Sequence, residues 1–535
     1  MTRLTIECDA AHRATSESYL AGRVLDALLR EDYGGLATRM TRTKEGVQLV
    51  LPSGRRVRLA PGRLYQDFVV APDEPLTLDE VLGTLAAIAD PGDADGVAAF
   101  THECRTALRA HDLHAVRRAD VLARLHRRSG VPETVVYETL AAFADHPVYP
   151  TSRSRLGLTD EEVLAYAPEF APRFALRWAA VPAGRVAGSG SPPGWWPAGD
   201  AASVPFPVHP LTLHAVREIP GVVVHDEPYL VVRPTLSMRT VEVDARTHLK
   251  LPLATSTLGA RNRRSIKPGT LGDGARAERL LREVLLREPD LGVVLADEQT
   301  YAHAGHEFLG WMVRRLPPGE IVSVAALLAP SPAPDGGPRV LDDLAARHRD
   351  GDIAALLADY LHVLFTWNVR LFVGYGIALE AHQQNLALVF GDGTTRLLVK
   401  DNDGLLASPD RLLSAGLAVP RFADERLLTD DPHALADVFV TITLHLAAAA
   451  IAFGAGHGDL VAHALENALA EYGGHPMARL LRARTLDAAR LVGKSMVSAG
   501  TLVDRARVGA ADINKHYGTT GPNYLRRHRR REVNP

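Results

Sequence analysis

Residues 374–404 read GYGIALEAHQQNLALVFGDGTTRLLVKDNDG and predict a β-hairpin between two polar clusters. Residues 386–390 form an apolar run, residues 391–393 are a turn signal, and residues 394–400 form a second β-rich run. The second strand leads directly into Asp401-Asn402-Asp403-Gly404. A hairpin of this kind returns these acidic residues to the place where the first strand begins.

The hairpin therefore predicts that Asp401 lies close to Asn385 and Glu380, although Asp401 and Asn385 are 16 residues apart in sequence. Carboxylate and amide oxygens are the ligands that Mg²⁺ takes together with nucleotide phosphates. Protein kinases place an Asn and a later Asp around their metal ions in a similar way. The alternative is a polar loop before an ordinary hairpin, and spacing alone leaves both interpretations open.

The composition is that of an ordinary soluble protein of two or three domains, with 535 residues, 46% hydrophobic residues and 23% charged residues. The formal net charge of −3 points neither to nucleic acid nor to a membrane. The most apolar run, residues 444–453, is too short to span a bilayer. Two cysteines and no signal-peptide pattern predict a cytoplasmic protein.

Short strands are predicted at residues 230–232, 241–243 and 249–253, and hydroxyl and cationic side chains lie near their ends. These side chains belong to Ser237, Arg239, Thr240, Lys250, Thr257 and Arg261. Such donors bind phosphates and carboxylates. A nucleic-acid surface is the competing interpretation, and the scarcity of aromatic residues around these cations counts against it.

Two irregular segments allow two interpretations each. Residues 145–157, DHPVYPTSRSRLG, are an anion-binding loop or a linker between domains. Residues 183–203, which contain Trp195 and Trp196, are a lid or a packed loop. Further along, residues 311–315 and 321–328 predict a strand pair around a Pro-Pro-Gly turn. Residues 353–372 predict a long helix that leads into the hairpin.

Taken together, six motifs resemble those of the NRPS-independent siderophore synthetases, the IucA/IucC family. GIALEAHQQN at 376–385 is the most specific of them, and DHPVYPTSRSRLG at 145–157 resembles the family's GHPxHPxxKxRxG. The others are PVHP at 207–210, PTLSMRT at 234–240, HLKLPL at 248–253 and VKDNDG at 399–404. The resemblance runs in family order over about 70% of the chain.

The resemblance implies an α+β enzyme with a cupped-hand shape in three parts. Residues 1–145 would form a mostly helical, thumb-like region, and residues 146–335 a β-rich, fingers-like region with the ATP-phosphate motifs. Residues 336–535 would form a helical, distantly kinase-like palm that carries the hairpin. Such enzymes use ATP and Mg²⁺ to adenylate a citrate-like polycarboxylic acid, and an amine or alcohol then displaces AMP. A homodimer is also implied.

The site residues are carried over from the resemblance position by position. The ATP phosphates would contact Ser237, Arg239, Thr240, Lys250 and Arg261, with His146 nearby. The metal would be held by Glu380, Asn385 and Asp401. The acid would be held by Thr257, Arg261, His382 and Gln384. Lys250 and Arg261 would stabilise charge, and either His382 or a substrate or solvent base would take the proton of the amine. Lys494 lies where the family has a late lysine.

Departures from the family motifs concern the substrate pockets. Tyr149 and Arg153 replace the second His and the Lys of the first motif, and Leu211 and Thr212 replace a Trp-Gln pair after PVHP. The acid, the acceptor and the product are therefore left open. Two other functions also stay open, a kinase-like phosphotransferase and a nucleotide-binding relative without catalytic activity.

Overall fold

The computed structural model describes residues 10–62, 64–127, 133–332, 337–391, 393–509 and 516–526. Four helices and a four-stranded antiparallel sheet of order β1-β2-β3-β4 form its N-terminal part. The helices are α1 (Ala10–Arg30), α2 (Leu78–Ile88), α3 (Ala94–His126) and α4 (Thr134–Ala141). The strands are β1 (Met40–Thr43), β2 (Gly46–Val50), β3 (Arg56–Pro61) and β4 (Phe68–Val70). The core between them also contains Val497 and Leu502, so this part packs against the C-terminal end of the described chain.

The middle of the chain forms a seven-stranded antiparallel sheet of order β5-β10-β11-β12-β15-β14-β7 and a three-stranded sheet of order β8-β6-β9. Its strands are β5 (Phe174–Ala175), β6 (Arg177–Pro182), β7 (Ala187–Ser189), β8 (Ser203–Val208), β9 (Val223–His225), β10 (Val231–Pro234), β11 (Thr240–Asp244), β12 (Thr247–Lys250), β13 (Val293–Leu295), β14 (Asp297–His306), β15 (Leu309–Arg315) and β16 (Glu320–Ser323). The helices here are α5 (Asp160–Tyr166), α6 (Leu213–Arg217) and α7 (Thr270–Arg287).

The predicted pairing of residues 311–315 with residues 321–328 is wrong. Strand β15 pairs with β12 and β14, whereas β16 pairs with a strand of the hairpin in a different sheet. The Pro-Pro-Gly segment therefore joins two sheets instead of closing a hairpin. The physical reason is that β15 already has a partner on each edge, β12 and β14, so the buried strand β16 pairs with the first strand of the hairpin instead.

The predicted hairpin of residues 386–400 is present. Its strands, β18 (Leu386–Gly391) and β19 (Thr394–Val399), follow the short β17 (Ile377–Ala378) and pair antiparallel from Leu386 opposite Val399 to Gly391 opposite Thr394. The turn residue Asp392 lies outside the described residues. The hairpin joins a four-stranded sheet of order β13-β19-β18-β16, in which β13 pairs parallel with β19.

Helices surround the hairpin on the C-terminal side. They are α8 (Val340–His348), α9 (Ile353–Arg370), α10 (Pro409–Ser414), α11 (Pro432–Val438), α12 (Ala450–Gly454), α13 (Asp459–Ala470), α14 (Pro476–Arg484) and α15 (Arg505–Val508). Three short strands complete this part: β20 (Leu406–Ala407), β21 (Arg490–Gly493) and β22 (Thr519–Pro522). Among the described residues, one helix, Pro432–Gly454, has the length and composition of a membrane span, but 83% of its apolar window is buried in the protein core.

The predicted α+β class is confirmed, since the structure is 45% helical and 21% strand, with largely antiparallel sheets. The predicted three-part division stays a prediction. Strands β13 and β16 precede the predicted boundary at 335/336, whereas β18 and β19 follow it, and all four share one sheet. The boundary itself falls in the gap between residues 332 and 337 of the described chain.

Candidate active site

A cavity of about 370 Å³ lies between the seven-stranded sheet, the hairpin and the loop that follows α4. Nine of the predicted site residues line it: His146, Ser237, Arg239, Thr257, Glu380, His382, Gln384, Asn385 and Asp401. Residues separated by more than 250 positions in sequence, such as His146 and Asp401, therefore contribute to one cavity. The cavity lining also contains Arg155, Arg264, Asp403 and Lys494.

Asp401 is the most constrained residue at the hairpin side of the cavity. Its backbone is in the left-handed region with φ 64°, and its amide donates to the buried carboxylate of Glu298 at 3.0 Å. Its own carboxylate accepts a hydrogen bond from Nζ of Lys250, and an Arg314 guanidinium nitrogen lies 3.8 Å away. Burial alone would raise the pKa of Asp401, but Lys250 and Arg314 outweigh it and keep the pKa below its usual range. Asp401 therefore remains ionised.

Glu380 and Asn385 lie against the same segment. The Asn385 side-chain amide donates to the Glu380 carbonyl at 3.2 Å, which leaves its amide oxygen as the end able to face a cation. Gly404 packs so closely on Glu380 that a Cβ at residue 404 would lie 2.2 Å from Glu380 Oε2. A side chain at residue 404 would therefore displace the Glu380 carboxylate from its present position.

The residues at this side fit Mg²⁺ by the chemistry of their donors. Glu380, Asn385, Asp401 and Asp403 supply carboxylate and amide oxygens, which are the hard ligands that this ion prefers. Within the described chain no group of three or more His, Cys, Asp or Glu side chains forms a ready-made metal cage. Mg²⁺ is commonly held by one or two carboxylates plus substrate phosphates and water, so the donor set suits a metal that arrives with a nucleotide.

Nζ of Lys250 bridges the two aspartates of this side. It contacts Asp401 and lies 3.2 Å from Asp403 Oδ2, while the Lys250 side chain is only 2% exposed. Lys250 is outside the cavity lining and acts on the cavity through these carboxylates. Thr240 is also outside the lining, because it is buried in β11 opposite Lys250 of β12.

Three arginines of the lining, Arg155, Arg239 and Arg264, make up the cationic side of the cavity. Arg239 donates to the Ser265 carbonyl at 3.0 Å, and Arg264, which is half-buried, donates to the Ser237 carbonyl at 3.4 Å. Burial and the charges of Arg239 and Arg155, offset in part by Asp401 and Asp403, lower the pKa of Arg264 to about 9. The lowered pKa of Arg264 indicates that its charge is only partly compensated, which suits an anionic ligand.

Arg261 is not among the residues that line the cavity. Its Nη1 donates to the Ala499 carbonyl at 2.9 Å, and its backbone amide donates to the Gly500 carbonyl at 3.1 Å. These contacts direct the side chain toward the C-terminal segment. Arg264, three residues later, occupies the cavity in its place. The sequence signal for Arg264 was present in the run Arg261-Asn262-Arg263-Arg264, but spacing could not indicate which arginine faces inward.

His382 and His146 are half-buried in the cavity wall. Burial and repulsion from Lys494 lower the pKa of His382 to about 4, and burial together with His382 lowers the pKa of His146 to about 3. Both rings are therefore neutral near pH 7. Nδ1 of His146 accepts from the Tyr149 amide at 2.9 Å, so its proton is on Nε2 and can be donated to an anion.

These two histidines predict a specific pH dependence. Because their folded pKa values lie below the ordinary 6.5, the unfolded chain takes up more protons than the folded protein as pH falls from about 6.5 to about 4. We expect thermal stability to fall across that window and catalytic rate to show no inflection near pH 6.5. Melting curves and initial rates from pH 5 to 8 check this, with His382→Gln expected to flatten part of the stability loss and the exposed His225→Gln expected to leave it unchanged.

Helix α1 holds the loop of residues 145–149 against the cavity, a role that no sequence motif indicated. Arg23 Nη2 donates to the carbonyls of His146 at 2.6 Å and Tyr149 at 3.0 Å. Tyr19 Oη donates to Asp145 at 2.9 Å, and Arg30 donates to the Val148 carbonyl at 3.3 Å. These residues recur at helical spacing, so one face of α1 contacts the loop.

For the nucleotide site that the sequence predicts here, Arg23→Met is expected to raise the KM for nucleotide about 10-fold to 100-fold, since loss of two hydrogen bonds to backbone carbonyls costs about 1–3 kcal/mol and releases the backbone of His146. Steady-state kinetics with a melting curve measures both effects. Arg124→Met is the matched control, because Arg124 also donates to a carbonyl, that of Phe170, at 2.8 Å, but away from the cavity lining. Equal KM changes in the two variants would contradict a specific role for Arg23.

The two irregular segments differ in what they contact. Residues 145–157 contribute Asp145, His146, Ser152, Arg153 and Arg155 to the cavity lining, although Arg153 is engaged by Asp145 at 2.8 Å. The loop of residues 183–203 is packed elsewhere. Its Trp196 contacts Trp311 and Trp178 with ring centroids 4.4 Å and 4.9 Å apart, and neither Trp195 nor Trp196 lines the cavity.

Known proteins with related sequences match the parts of the chain that form this cavity. Residues 134–329 match the model of the IucA/IucC family. The predicted relationship to that family is confirmed. Residues 354–493, which contain the hairpin, match a second model, described as ferric iron reductase FhuF-like transporter.

The curated relatives of this chain differ in how much of it they cover. The uncharacterized protein y4xN of Sinorhizobium fredii is 30% identical over 50% of this chain. The match covers 51% of y4xN, so this chain spans about half the length of that relative. The rhizobactin siderophore biosynthesis protein RhbC of Rhizobium meliloti is 28% identical over 70% of this chain and 72% of its own length. Staphyloferrin B synthase of Staphylococcus aureus is 24% identical over 76% of this chain and 78% of its own length.

Solved structures show the same fold. The petrobactin biosynthesis protein AsbB of Bacillus anthracis superposes with a TM-score of 0.73 at 16% identity, over 98% of both chains. ATP-bound aerobactin synthetase IucA of Klebsiella pneumoniae superposes with a TM-score of 0.68 at 18% identity, over 95% of this chain and 99% of its own. The α+β architecture of this chain is thus that of the siderophore synthetase structures.

Proposed function

We propose that this protein is an ATP-dependent ligase of siderophore or metallophore biosynthesis that adenylates a citrate-like polycarboxylic acid and joins it to an amine or alcohol. The observation that carries the proposal is that one cavity is lined both by cationic side chains, Arg155, Arg239 and Arg264, and by oxygen donors, Glu380, Asn385 and Asp401. Both sides are needed when a carboxylate must approach a phosphate, because two anions then come together.

The arginines would reduce the repulsion in that step. A carboxylate oxygen of the acid attacks the α-phosphorus of ATP, the bond to the bridging oxygen breaks, and pyrophosphate leaves. Arg239 and Arg264 would neutralise charge on the phosphates or carboxylates, and Ser237 and His146 would donate hydrogen bonds. Mg²⁺, when bound by Glu380, Asn385 and Asp401, would supply further positive charge to the phosphate oxygens.

The acid would be recognised beside the histidine and the glutamine of the hairpin. Thr257, His382 and Gln384 line the cavity together with Arg264, so hydroxyl, imidazole, amide and guanidinium donors are available to several carboxylates at once. His382, with a pKa of about 4, is a weak base at pH 7, so its main role would be to orient the acid. The attacking amine would then lose its proton mainly to substrate or solvent.

The relatives support the ligase class. Two of them are described as a staphyloferrin B synthase and a rhizobactin siderophore biosynthesis protein, and a structural neighbour is described as an ATP-bound aerobactin synthetase. The acid, the acceptor and a homodimeric, cytoplasmic state remain proposals for this chain.

The test is product analysis with a panel of polycarboxylic acids, ATP, Mg²⁺ and hydroxylamine as a general acceptor. AMP, pyrophosphate and a hydroxamate are expected with at least one acid. ADP and phosphorylated product would instead indicate the kinase-like alternative, for which the closeness of Asn385 and Asp401 is the structural argument. If no acid gives AMP but a nucleotide analogue binds in a Mg²⁺-dependent way, the protein is a nucleotide-binding relative without this activity.

A further inference from the structure

Glu138 of helix α4 connects the two sides of the cavity. Its side chain is buried, with the residue 1% exposed. Its Oε2 accepts from the backbone amide of Leu236 at 3.1 Å. Leu236 directly precedes Ser237 and lies three residues before Arg239, which both line the cavity. Oε1 of Glu138 accepts from Nζ of Lys400 at 2.7 Å, directly before Asp401 on the oxygen-donor side. One carboxylate therefore touches the neighbours of both functional loops.

Both loops have backbone conformations that need support from outside. Met238, between Ser237 and Arg239, has φ 64°, and Asp401 also has φ 64°. Non-glycine residues adopt this left-handed region at a cost, and they persist there when surrounding contacts determine the conformation. The Leu236 amide and the Lys400 ammonium are two such contact points, and Glu138 is the group that they share.

Lys400 also links the carboxylate to the start of the hairpin. Its backbone amide donates to the Asn385 carbonyl at 3.0 Å, so a shift of Lys400 moves both Asn385 and Asp401. Helix α4 in turn leads into residues 141–147, six of which line the cavity. The Glu138 carboxylate is therefore placed to set the distance between three parts of the site.

We propose that Glu138 is a positioning residue that couples the phosphate loop of residues 235–240 to the metal-binding end of the hairpin at residues 398–404. It does not line the cavity, and it acts through Leu236 and Lys400. This inference rests on the proposed function for its kinetic consequence, but its structural consequence is independent of any activity.

The structural arm of the test uses the double variant Glu138→Leu/Lys400→Met. Replacing a buried ion pair by apolar side chains of similar size is often neutral for stability, whereas the Leu236 amide loses its acceptor, so we expect only a modest fall in the melting temperature. Hydrogen–deuterium exchange should nevertheless become at least 10-fold faster in the peptides that cover residues 235–240 and 398–404. Tyr137→Phe is the matched control. Tyr137 is the preceding residue of α4, is equally buried, and donates at 2.8 Å to Glu320 on the other side of the helix.

Parent-like exchange in both segments of the double variant would overturn the proposal, and so would an equal increase in Tyr137→Phe. Should the double variant fail to fold, Glu138→Gln decides by the same exchange measurement, because glutamine keeps the size and can accept from only one of the two donors. Faster exchange in only one of the two segments would also overturn the coupling.

The kinetic arm separates positioning from a general loss of folded protein. We expect the double variant to need at least 10-fold more Mg²⁺ for half-maximal pyrophosphate release and to have a lower kcat, with the KM for the acid changed less. A smaller folded fraction would lower kcat alone and leave the Mg²⁺ midpoint unchanged, which would overturn the proposal. If the parent releases no pyrophosphate with any acid, the proposed function has failed, and the exchange arm still decides the role of Glu138.

Discussion

Asp401→Asn is expected to lower the rate of pyrophosphate release by about 10³-fold or more while the protein stays folded. Removing one group that stabilises developing charge commonly costs about 10²–10³ in rate, and Asp401 is both a proposed metal ligand and the carboxylate that accepts a hydrogen bond from Lys250. Asparagine is the informative replacement, because it tolerates the left-handed conformation with φ 64° that Asp401 adopts. Pyrophosphate release at saturating ATP, Mg²⁺ and acid, with a melting curve, measures the effect.

The comparison variant is Asp403→Asn. Asp403 also lines the cavity and contacts Lys250, but its contact is the longer one, at 3.2 Å, and its side chain is 32% exposed against 20% for Asp401. We expect it to lose about tenfold or less, since partly exposed ion pairs contribute little. Near-normal pyrophosphate release by Asp401→Asn would show that the metal assignment is wrong. Equal losses in both variants would indicate that total negative charge matters more than ligand identity.

Arg264→Met is expected to lower kcat/KM by about 10²-fold to 10³-fold without loss of stability. Hydrogen bonds to charged groups contribute about 1.5–3 kcal/mol each, and a guanidinium group makes more than one to a phosphate or carboxylate. The pKa of Arg264, lowered to about 9 by burial and by Arg239, indicates that its charge is poorly compensated in the absence of an anion. Methionine, which removes that charge, should keep or raise the melting temperature.

Arg261→Met is the matched control for Arg264, because the two differ in what they contact. Arg261 donates to the Ala499 carbonyl, so its loss should lower the melting temperature and change kcat/KM by less than about tenfold. The opposite result, with large kinetic loss in Arg261→Met and little in Arg264→Met, would restore the prediction made from the sequence motif. Kinetics and melting curves on both variants decide between them.

The hairpin is a case in which the local sequence pattern predicted the structure correctly. Residues 386–391 and 394–399 pair as their apolar runs and glycine-containing turn predicted, because a short turn brings consecutive strands together. Residues 311–315 and 321–328 carried a similar signal and yet belong to different sheets. In that case β15 pairs with β12 and β14, which occupy both of its edges, and β16 pairs with β18 of the hairpin. Tertiary contacts therefore decide the pairing.

The run of arginines at residues 261–264 is a case in which the sequence pattern could not predict which side chain lines the cavity. Arg261 and Arg264 have the same side chain and lie three residues apart in an irregular segment. Neither helical nor strand periodicity therefore indicates which of them faces the cavity. The loop of residues 183–203 is a similar case. Its Trp196 packs against Trp178 and Trp311 because the adjoining sheets present an apolar face, which its composition of Gly, Pro and Ser does not indicate.

By itself the sequence determined the α+β class, the hairpin with Glu380, Asn385 and Asp401, and the relation to the IucA/IucC family, because these depend on local periodicity and on contiguous motifs. The tertiary structure alone decided that Arg264 lines the cavity, that Arg23 holds the loop of His146, and that Glu138 bridges Leu236 and Lys400. These are contacts across 98 to 262 residues. They arise when buried polar groups must find partners, and that requirement is met in space, independently of distance along the chain.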